Sequence, residues 1–352
     1  MKTNKMKAAV IREYGKIALE EVEKPSVPDK NVLIRVKYAS ICGSDQHIFR
    51  GEFHPRTQLP LIPGHEFAGV VEDFGKDVKN FVKGEKVTVD PIIWCGECAA
   101  CKAGHYPACV SLKLVGIDLD GGFAEYVSVP EKMVFKVPGK ISDEHASLVE
   151  ILSIGFHASA RAGIERHDDI LIMGSGKVGN SILHAARTKT DGKIIIADIL
   201  DERLAIASSA FPEIYTINIR KKDPVAFVKE LTDNRGVDIA FEAVGHEVAV
   251  GGRFNPVRAC INAIKGGGKV CVLGLSDHPS EILFKELIWK EARIIASRVS
   301  HGEFADAIRA LDEGILDPEK MITGVLDLAD AQKGFELLEK QPEKNLKILL
   351  KI

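Results

Sequence analysis

Short apolar runs between turn residues dominate the first part of the chain. Residues 6–40 contain the runs KAAVI and NVLIRVKYA, which Pro25, Pro28 and charged residues separate. Residues 64–90 continue the pattern with FAGVVEDFG and EKVTVDP. This pattern is typical of β-strands rather than helices, and it predicts a β-rich domain over residues 1–150.

The pattern changes near residue 150. ILSIGFHASARAG is helix-like, and the sequence from DDILIM to LAIASS reads as strand, glycine turn, helix, strand and helix, with GVDIAFEAVG and GGKVCVLGL as further strands. Apolar strands that alternate with helices predict a doubly wound parallel sheet, covered on both faces, over residues 151–292. Amphipathic helices and a last strand, LKILLKI, follow, and we predict that residues 293–352 return to the first domain.

Composition and charge exclude several classes of protein. The 352 residues are 45% hydrophobic and 28% charged, with 47 Lys and Arg against 50 Asp and Glu, which argues against a nucleic-acid partner. No run reaches the ~20 apolar residues of a membrane span, and the N-terminal region lacks the apolar core of a signal peptide. We therefore expect a cytoplasmic protein, in which clustered cysteines favour metal binding over disulfides.

A glycine-rich turn follows the strand DDILIM and opens a helix. It reads Gly174-Ser175-Gly176-Lys177-Val178-Gly179, a G-x-G-x-x-G motif. The first glycine permits the tight turn, the second lets a pyrophosphate approach the backbone, and the third lets the helix pack on the strand. The helix N-terminus offers free N–H groups to the phosphates. The alternative is an ordinary strand-to-helix turn.

Asp198 ends the strand KIIIAD, about where dinucleotide-binding domains place an acid. Its carboxylate suits the ribose hydroxyls and repels a 2′-phosphate, which favours NAD over NADP. Arg203 is a candidate to lie beside the adenosine and to relieve part of that discrimination. The alternative for Arg203 is a solvated helix position.

Cys95, Cys98, Cys101 and Cys109 place four thiols within a short, weakly apolar segment, about residues 91–112. Four thiolates at this spacing suit a tetrahedral structural zinc, which has no open coordination position and therefore stabilises a loop. A redox C-x-x-C pair and an iron–sulfur cluster are the alternatives.

Cys42, in ICGSDQH, and His65 and Glu66, in PGHEFAG, are candidates for a second metal site together with Glu150. Each also fits an ordinary role, such as a buried thiol, a capping histidine or a surface carboxylate. Their spacing alone does not join them into one site.

Residues 64–78, GHEFAGVVEDFGKDV, are similar to the zinc signature G-H-E-x2-G-x5-G-x2-V of the zinc-containing medium-chain alcohol dehydrogenase superfamily. The resemblance covers nearly the whole chain, with MKAAV, ICGSD, GHE, the four cysteines, GGFAEY and the nucleotide fold in order. It implies a GroES-like catalytic domain followed by a Rossmann domain, and it is strongest to the sorbitol (polyol) and L-threonine dehydrogenase branch.

By this resemblance, Cys42 and His65 match catalytic zinc ligands and Glu66 the glutamate beside the histidine. Liver-type enzymes use a third cysteine ahead of the nucleotide domain. Here Glu150 occupies that place, as in the polyol branch, where the glutamates bind zinc directly or hold its water. The branch often has proline next, whereas this chain has Ile151.

The resemblance also implies a mechanism. Zinc lowers the pKa of a bound alcohol, Ser44 and His47 match the proton relay, and Asp45 matches the carboxylate that orients the zinc histidine. Further cofactor positions follow from the strand VLGL and from ASRVS: Leu273, Leu275 and Arg298.

Two segments are candidates to contact the ligands. The pocket lip, residues 47–60, and the long stretch of residues 246–268 carry these candidates: Phe49, Phe53, His54, Arg56, Arg253 and Arg258. Arg56 would suit an anionic group of the substrate, and the alternative is a surface arginine.

We therefore predict two zinc ions per chain and NAD-linked oxidation of a secondary alcohol. The substrate is a polyol, a sugar alcohol, phosphorylated or not, or a hydroxy amino acid such as L-threonine. An NADP-linked aldehyde or ketone reductase and a non-catalytic, zinc-stabilised nucleotide-binding protein are the alternatives. The expected partners are a small alcohol or ketone and copies of the same chain, as a homo-tetramer or a dimer, with neither nucleic acid nor membrane.

Overall fold

The computed structural model describes residues 4–245, 248–249 and 253–352, apart from the side chains of Val248, Ala249 and Arg253. The predicted role of Arg253 therefore lies outside the described residues. The chain forms two compact units. The first comprises Met1–Glu150, Phe304–Gly314 and Ile322–Ile352, and the second comprises Ile151–Glu303 and Ile315–Met321.

The strands, numbered along the chain, are β1 (Lys5–Glu13), β2 (Lys16–Glu23), β3 (Asn31–Ser40), β4 (Glu66–Phe74), β5 (Lys86–Val89), β6 (Ile92–Ile93), β7 (Lys113–Leu114), β8 (Tyr126–Pro130), β9 (Val134–Lys136), β10 (Ile170–Met173), β11 (Ile194–Asp198), β12 (Tyr215–Asn218), β13 (Val237–Glu242), β14 (Val248–Ala249), β15 (Arg253–Phe254), β16 (Ile264–Val272), β17 (Arg293–Ala296), β18 (Ile322–Asp327) and β19 (Lys347–Lys351).

The helices are α1 (Gly43–Phe49), α2 (Ala99–Lys102), α3 (Asp143–Ser147), α4 (Val149–Ala162), α5 (Lys177–Arg187), α6 (Asp201–Ala210), α7 (Pro224–Leu231), α8 (Pro256–Ala263), α9 (Phe284–Ile288), α10 (Phe304–Asp312) and α11 (Ala331–Lys340). Short 3-10 helices cover Tyr106–Ala108, Glu131–Met133, Pro318–Met321 and Leu328–Asp330.

The first unit is built on a seven-stranded sheet. Its order is β18-β19-β3-β4-β5-β9, and β8 also pairs with β3. β3 and β4 are antiparallel, and Gly69 of β4 lies so close to the backbone of Arg35 that a Cβ there would be 2.2 Å from its carbonyl oxygen. β1 pairs with β2 and β6 with β7. The β-rich architecture predicted for this domain is confirmed.

The second unit contains a six-stranded parallel sheet in the order β12-β11-β10-β13-β16-β17. Consecutive residues of β10 are all buried, and they enter two different apolar clusters. Ile170 and Ile172 pack in one, and Leu171 and Met173 pack in the other. Because side chains alternate across a strand, both faces of this sheet are covered, and the predicted doubly wound α/β fold is confirmed.

The start of the C-terminal segment, residues 293–352, differs from the prediction. β17 (Arg293–Ala296) is the sixth strand of the parallel sheet, and the second unit extends to Glu303 and includes residues 315–321. The predicted boundary at residue 293 is therefore wrong. β17 pairs in parallel with β16, so this segment belongs to the parallel sheet of the second unit.

Across the described residues, no helix combines the length and the apolar character that crossing a bilayer requires.

Candidate metal centre and nucleotide site

The pairing of β3 with β4 brings the dispersed metal candidates together. Ser40 at the end of β3 pairs with Glu66 at the start of β4. Cys42 follows β3 closely and His65 directly precedes β4, so both lie at the same edge of the sheet. One sulfur, one imidazole nitrogen and one carboxylate oxygen, from Cys42, His65 and Glu66, lie within 4.8 Å of one another.

Asp45 fixes the geometry around Cys42 and His65. Its carboxylate accepts hydrogen bonds from the backbone N–H groups of Cys42 (2.7 Å) and Gly64 (3.3 Å), and the first of these bonds starts α1 as a capping box. Oδ1 of Asp45 lies 3.4 Å from Nδ1 of His65. Nε2 of His65 lies 3.2 Å from Oγ of Ser44. Nδ1 of the imidazole thus faces Asp45, and Nε2 faces Ser44.

Burial and the neighbouring charges shift the pKa of His65 in opposite directions. Burial alone would lower the pKa of this histidine, but the negative groups of Asp45 and Cys42 raise the pKa well above its ordinary value. The negative groups at this place therefore outweigh the effect of burial on the pKa of His65.

Glu66 has a partner that the sequence did not suggest. The ammonium group of Lys347, in β19, contacts Oε2 of Glu66, and both side chains are fully buried. Burial would raise the pKa of Glu66, but the charges of Lys347 and His65 lower it. Burial would lower the pKa of Lys347, and the charges of Glu66 and Cys42 raise it. In the sequence, the signal for this ion pair was the position of Lys347 inside the largely apolar run LKILLKI.

Glu150 lies close to this cluster but outside the group of three donor residues. It is buried, and burial is the main cause that raises its pKa to about 8. The charge of Glu66 raises this pKa further, and that of His65 lowers it. Direct binding of a metal by Glu150 stays a prediction.

The donor set fits zinc. A thiolate, an imidazole and a carboxylate are all ligands that zinc accepts, and three protein ligands leave a position for water or substrate. Oε1 of Glu66 is buried and has no hydrogen-bond partner among the described residues. Such an orphaned acceptor is costly in a folded protein unless another group binds it, and a cation at this place would do so.

His47 lies on α1 three residues after Ser44, and its side chain is half-exposed. Its ring stacks on Phe53, with 5.5 Å between ring centroids, and Nδ1 contacts the carboxylate of Glu52. Arg50 and His47 lower the pKa of Glu52 to about 2. Residues i and i+3 share a helix face, so Ser44 and His47 lie on the same face of α1, and their role as a proton relay stays a prediction.

The four lobe cysteines converge as the spacing predicts. Their sulfur atoms lie within 4.8 Å of one another, and all four are free thiols. Burial raises the pKa of Cys101, whereas backbone N–H groups lower that of Cys98. Four convergent sulfurs that accept backbone hydrogen bonds fit a closed tetrahedral zinc site.

In the second unit, the glycine turn has the geometry that its motif predicts. Gly174 has φ +102°, which favours glycine. A Cβ on Gly179 would lie 1.8 Å from the carbonyl oxygen of Gly174, so α5 can approach β10 this closely only with glycine there. A Cβ on Gly176 would meet nothing nearer than the guanidinium of Arg203, at 4.0 Å. The space over Gly176 is therefore open for a phosphate.

Asp198 ends β11 beside this turn. Its Oδ1 accepts the N–H of Leu200 at 3.0 Å. Arg203 is tied to the turn through its backbone carbonyl, which accepts the hydroxyl of Ser175 at 3.0 Å. Lys177 and Val178 begin α5. The predicted nucleotide residues around the turn are thus brought together, and their roles stay predictions.

The remaining cofactor candidates lie after β16 and β17. The N–H of Leu273 donates to the carbonyl of Glu242 at 2.9 Å, whereas Leu275 is 87% exposed. Arg298 is exposed and follows β17. The cofactor role of Arg298 stays a prediction.

Most of the lip candidates have partners within the protein. Arg56 makes a two-pronged ion pair with Asp118, and Phe49 is buried against Phe335. Nδ1 of His54 lies 3.3 Å from the hydroxyl of Tyr14. Arg56 thus has a carboxylate partner within the protein, and its contact with an anionic group of the substrate stays a prediction. In the second unit, Arg258 pairs with Glu286.

Comparisons with known proteins agree with this architecture. Residues 28–139 match the model of the alcohol dehydrogenase GroES-like domain, and residues 178–313 match that of the zinc-binding dehydrogenases. Sorbitol dehydrogenase of Bacillus subtilis is 31% identical over 98% of this chain and 97% of its own. L-threonine 3-dehydrogenase of Bacillus velezensis is 32% identical, with 96% of both chains covered. Starvation-sensing protein RspB of Escherichia coli is 30% identical over 98% of this chain and 99% of its own.

Two solved structures carry nicotinamide cofactors. An alcohol dehydrogenase (rspB) from Escherichia coli, in complex with NADH, has a TM-score of 0.90 and 29% identity, with 99% of this chain and 100% of that chain covered. A zinc-binding dehydrogenase from Sinorhizobium meliloti bound to NADP has a TM-score of 0.89 and 28% identity, with 99% of both chains covered. These relatives bind different forms of the nicotinamide cofactor.

Proposed function

Because this chain belongs to the zinc-containing medium-chain alcohol dehydrogenases, and is related to their sorbitol and L-threonine branch, we propose that it oxidises a secondary alcohol to a ketone with NAD. The observation that carries the proposal is the convergence of Cys42, His65 and Glu66 beside the hydroxyl of Ser44. A non-catalytic protein would not require that open donor set next to a relay.

Two zinc ions per chain are part of the proposal. The four lobe cysteines would hold a structural ion, and Cys42, His65 and Glu66 would hold a catalytic one, with Glu150 as a further ligand or as the group that holds its water. A bound catalytic zinc supplies Lewis acidity, which favours loss of the proton from an alcohol. Residues 1–150 would thus form the catalytic domain and residues 151–292 most of the cofactor domain.

The side chains around the centre provide a route for the alcohol proton. Oγ of Ser44 lies 3.2 Å from Nε2 of His65, so its hydroxyl stands at the donor set, where it can accept a proton from the substrate hydroxyl. His47, on the same face of α1 and half-exposed, can take that proton to solvent.

The second unit would bind the nucleotide. NAD supplies the hydride acceptor. The turn from Gly174 to Gly179 leaves room for the pyrophosphate over Gly176, and the carboxylate of Asp198 suits the ribose hydroxyls. Leu273, Leu275 and Arg298 are proposed at the nicotinamide end, as the family resemblance implies.

A second candidate is NADP-linked reduction of an aldehyde or ketone. It is favoured by Arg203, which brings a cation to the glycine turn, where its guanidinium lies 4.0 Å from the position of a Cβ on Gly176. Asp198 opposes it, because a carboxylate repels a phosphate at short distance. We therefore rank NAD first.

We also propose a homo-oligomer, a tetramer by family resemblance or else a dimer. Support comes from the second unit, where Phe284, Ile288 and Trp289 are 70–77% exposed in the single chain. They precede β17, the edge strand of the parallel sheet. An exposed apolar cluster next to an unpaired strand edge is typical of a contact between copies. Light scattering of the purified protein measures the state directly.

The reaction is tested with purified, zinc-loaded protein. We would follow NADH and NADPH formation with sorbitol and other polyols, sugar alcohol phosphates, short alcohols and L-threonine, and run NAD and NADP in parallel. The expected result is an NAD-linked oxidation of one substrate class that Cys42→Ala abolishes. NADP-linked turnover that exceeds the NAD-linked rate would favour the second candidate, and absence of both turnover and NAD binding would contradict an enzyme function.

A further inference from the structure

A buried ion pair joins the last strand of the chain to the metal centre. Lys347 in β19 and Glu66 in β4 are each 0% exposed, and the ammonium group contacts Oε2 of the carboxylate. Both strands flank β3, so the lysine side chain reaches its partner past the end of β3. Buried charges are costly unless they are paired, and a buried pair often stabilises a fold no better than apolar residues would. Its presence therefore calls for a role beyond packing.

The two oxygens of Glu66 have different surroundings. Oε2 is held by Lys347, whereas Oε1 is buried without a hydrogen-bond partner in the part of the chain that the structure describes. The same carboxylate contributes an oxygen to the donor group with Cys42 and His65. An ion pair on one oxygen restricts the rotation of the carboxylate and leaves the other oxygen for a cation.

We propose that Lys347 is a positioning residue of the metal centre, which acts through Glu66 by holding Oε2 so that Oε1 stays available beside Cys42 and His65. The inference rests on the proposed catalytic metal site. Groups that orient a ligand in this way usually contribute about ten- to a hundredfold to metal affinity. A purely structural ion pair would stabilise the fold and leave the metal affinity unchanged.

The test compares metal affinity in the full-length protein, with Co²⁺ as the probe and a chromophoric chelator as competitor. The variants are Lys347→Met, Glu66→Gln and the double variant. Cobalt at the centre has one cysteine ligand and cobalt at the lobe has four, so the thiolate-to-cobalt absorption is weaker at the centre. This difference distinguishes the two sites. Lys290→Met is the control, because Lys290 is a partly buried lysine of the other unit whose Nζ donates to three backbone carbonyls and, among the described residues, to no metal-donor candidate.

If Lys347 acts through Glu66, Lys347→Met weakens cobalt binding at the centre about ten- to a hundredfold, and it changes the cobalt spectrum of that site. The same substitution added to Glu66→Gln has little further effect, and Lys290→Met leaves the affinity unchanged. Wild-type affinity and spectrum in Lys347→Met overturn the inference. So does an equal loss in both backgrounds, because it would mean that Lys347 acts independently of Glu66.

Circular dichroism shows whether each variant folds. If Lys347→Met alone does not fold, the double variant replaces it, because that variant has neither buried charge. Its cobalt affinity is then compared with that of Glu66→Gln. Equal affinities support the inference, and a further tenfold loss in the double variant overturns it. Failure of the proposed function is separate. A wild-type protein that binds cobalt in the lobe alone contradicts the metal centre and this inference with it, whereas two cobalt ions with an unaffected Lys347→Met contradict the inference alone.

Discussion

The carboxylate of Asp198 accepts a hydrogen bond from the backbone N–H of Ser175, with 2.7 Å between Oδ2 and the nitrogen. This bond ties the end of β11 to the glycine turn that follows β10. Since Oδ1 accepts the N–H of Leu200, both oxygens are oriented by the backbone. The carboxylate therefore has a fixed position beside the turn.

Replacement of Asp198 should change the cofactor preference. Asp198→Ser removes the charge that repels a 2′-phosphate but retains a hydroxyl, so we expect the NADP:NAD ratio of kcat/KM to rise about tenfold or more, which corresponds to about 1.4 kcal/mol. The measurement is steady-state kinetics with both cofactors. Asp201→Ser, at an exposed position of α6, is the control. An unchanged ratio in Asp198→Ser would show that this carboxylate does not set the preference.

Cys42→Ala should abolish turnover and leave the fold intact. Cys42 is one of three donors at the centre, and two protein ligands do not make a catalytic zinc site. The lobe cysteines are separate from this site, so metal analysis should find one zinc per chain instead of two. Circular dichroism is the control for folding. Two zinc ions in Cys42→Ala, or full activity, would contradict the role of this cysteine.

Ser44→Ala should slow the chemical step without preventing metal binding. The hydroxyl of Ser44 stands next to His65 and is proposed to receive the substrate proton, so its loss should lower kcat about a hundredfold, the lower range for a proton-transfer group. Ser44→Thr keeps the hydroxyl and should retain most of the activity. Stopped-flow NADH formation measures the step. Equal rates in the wild type and Ser44→Ala would remove Ser44 from the relay.

Cys101→Ser should destabilise the lobe without removing the catalytic metal. Cys101 is a buried member of the four-thiol group, and structural zinc contributes directly to folding free energy. We expect loss of one zinc and a lower melting temperature. Because the catalytic donors lie elsewhere, the cobalt spectrum of the Cys42 centre should persist. Retention of both zinc ions would contradict a zinc site at the lobe.

The sequence was sufficient to predict the elements that local pattern and motif determine. The parallel sheet, the glycine turn and the four-cysteine group follow from short-range spacing. Gly174 has the positive φ, and Gly179 the close backbone approach, that the motif requires. The meeting of Cys42 with His65 required a family resemblance, because it depends on the register of β3 with β4. Lys347 was missed because it joins the centre through β19, which is distant in sequence from the other residues of the centre.

His184 should make stability depend on pH in the mildly acidic range. It lies fully buried on α5, between the carbonyls of Asn180 (2.8 Å) and Asp317 (3.3 Å), and burial lowers its pKa below the ordinary 6.5 despite these acceptors. Below about pH 6.5 the unfolded chain takes up a proton that the folded chain refuses, so stability falls as the pH falls, by at most about 1.4 kcal/mol per pH unit. His184→Gln should reduce this slope, and His167→Gln, at an exposed position, should not. Calorimetric melting at pH 7.5 and 5.5 measures the difference, and equal slopes in wild type and His184→Gln would show that His184 is not the group that titrates.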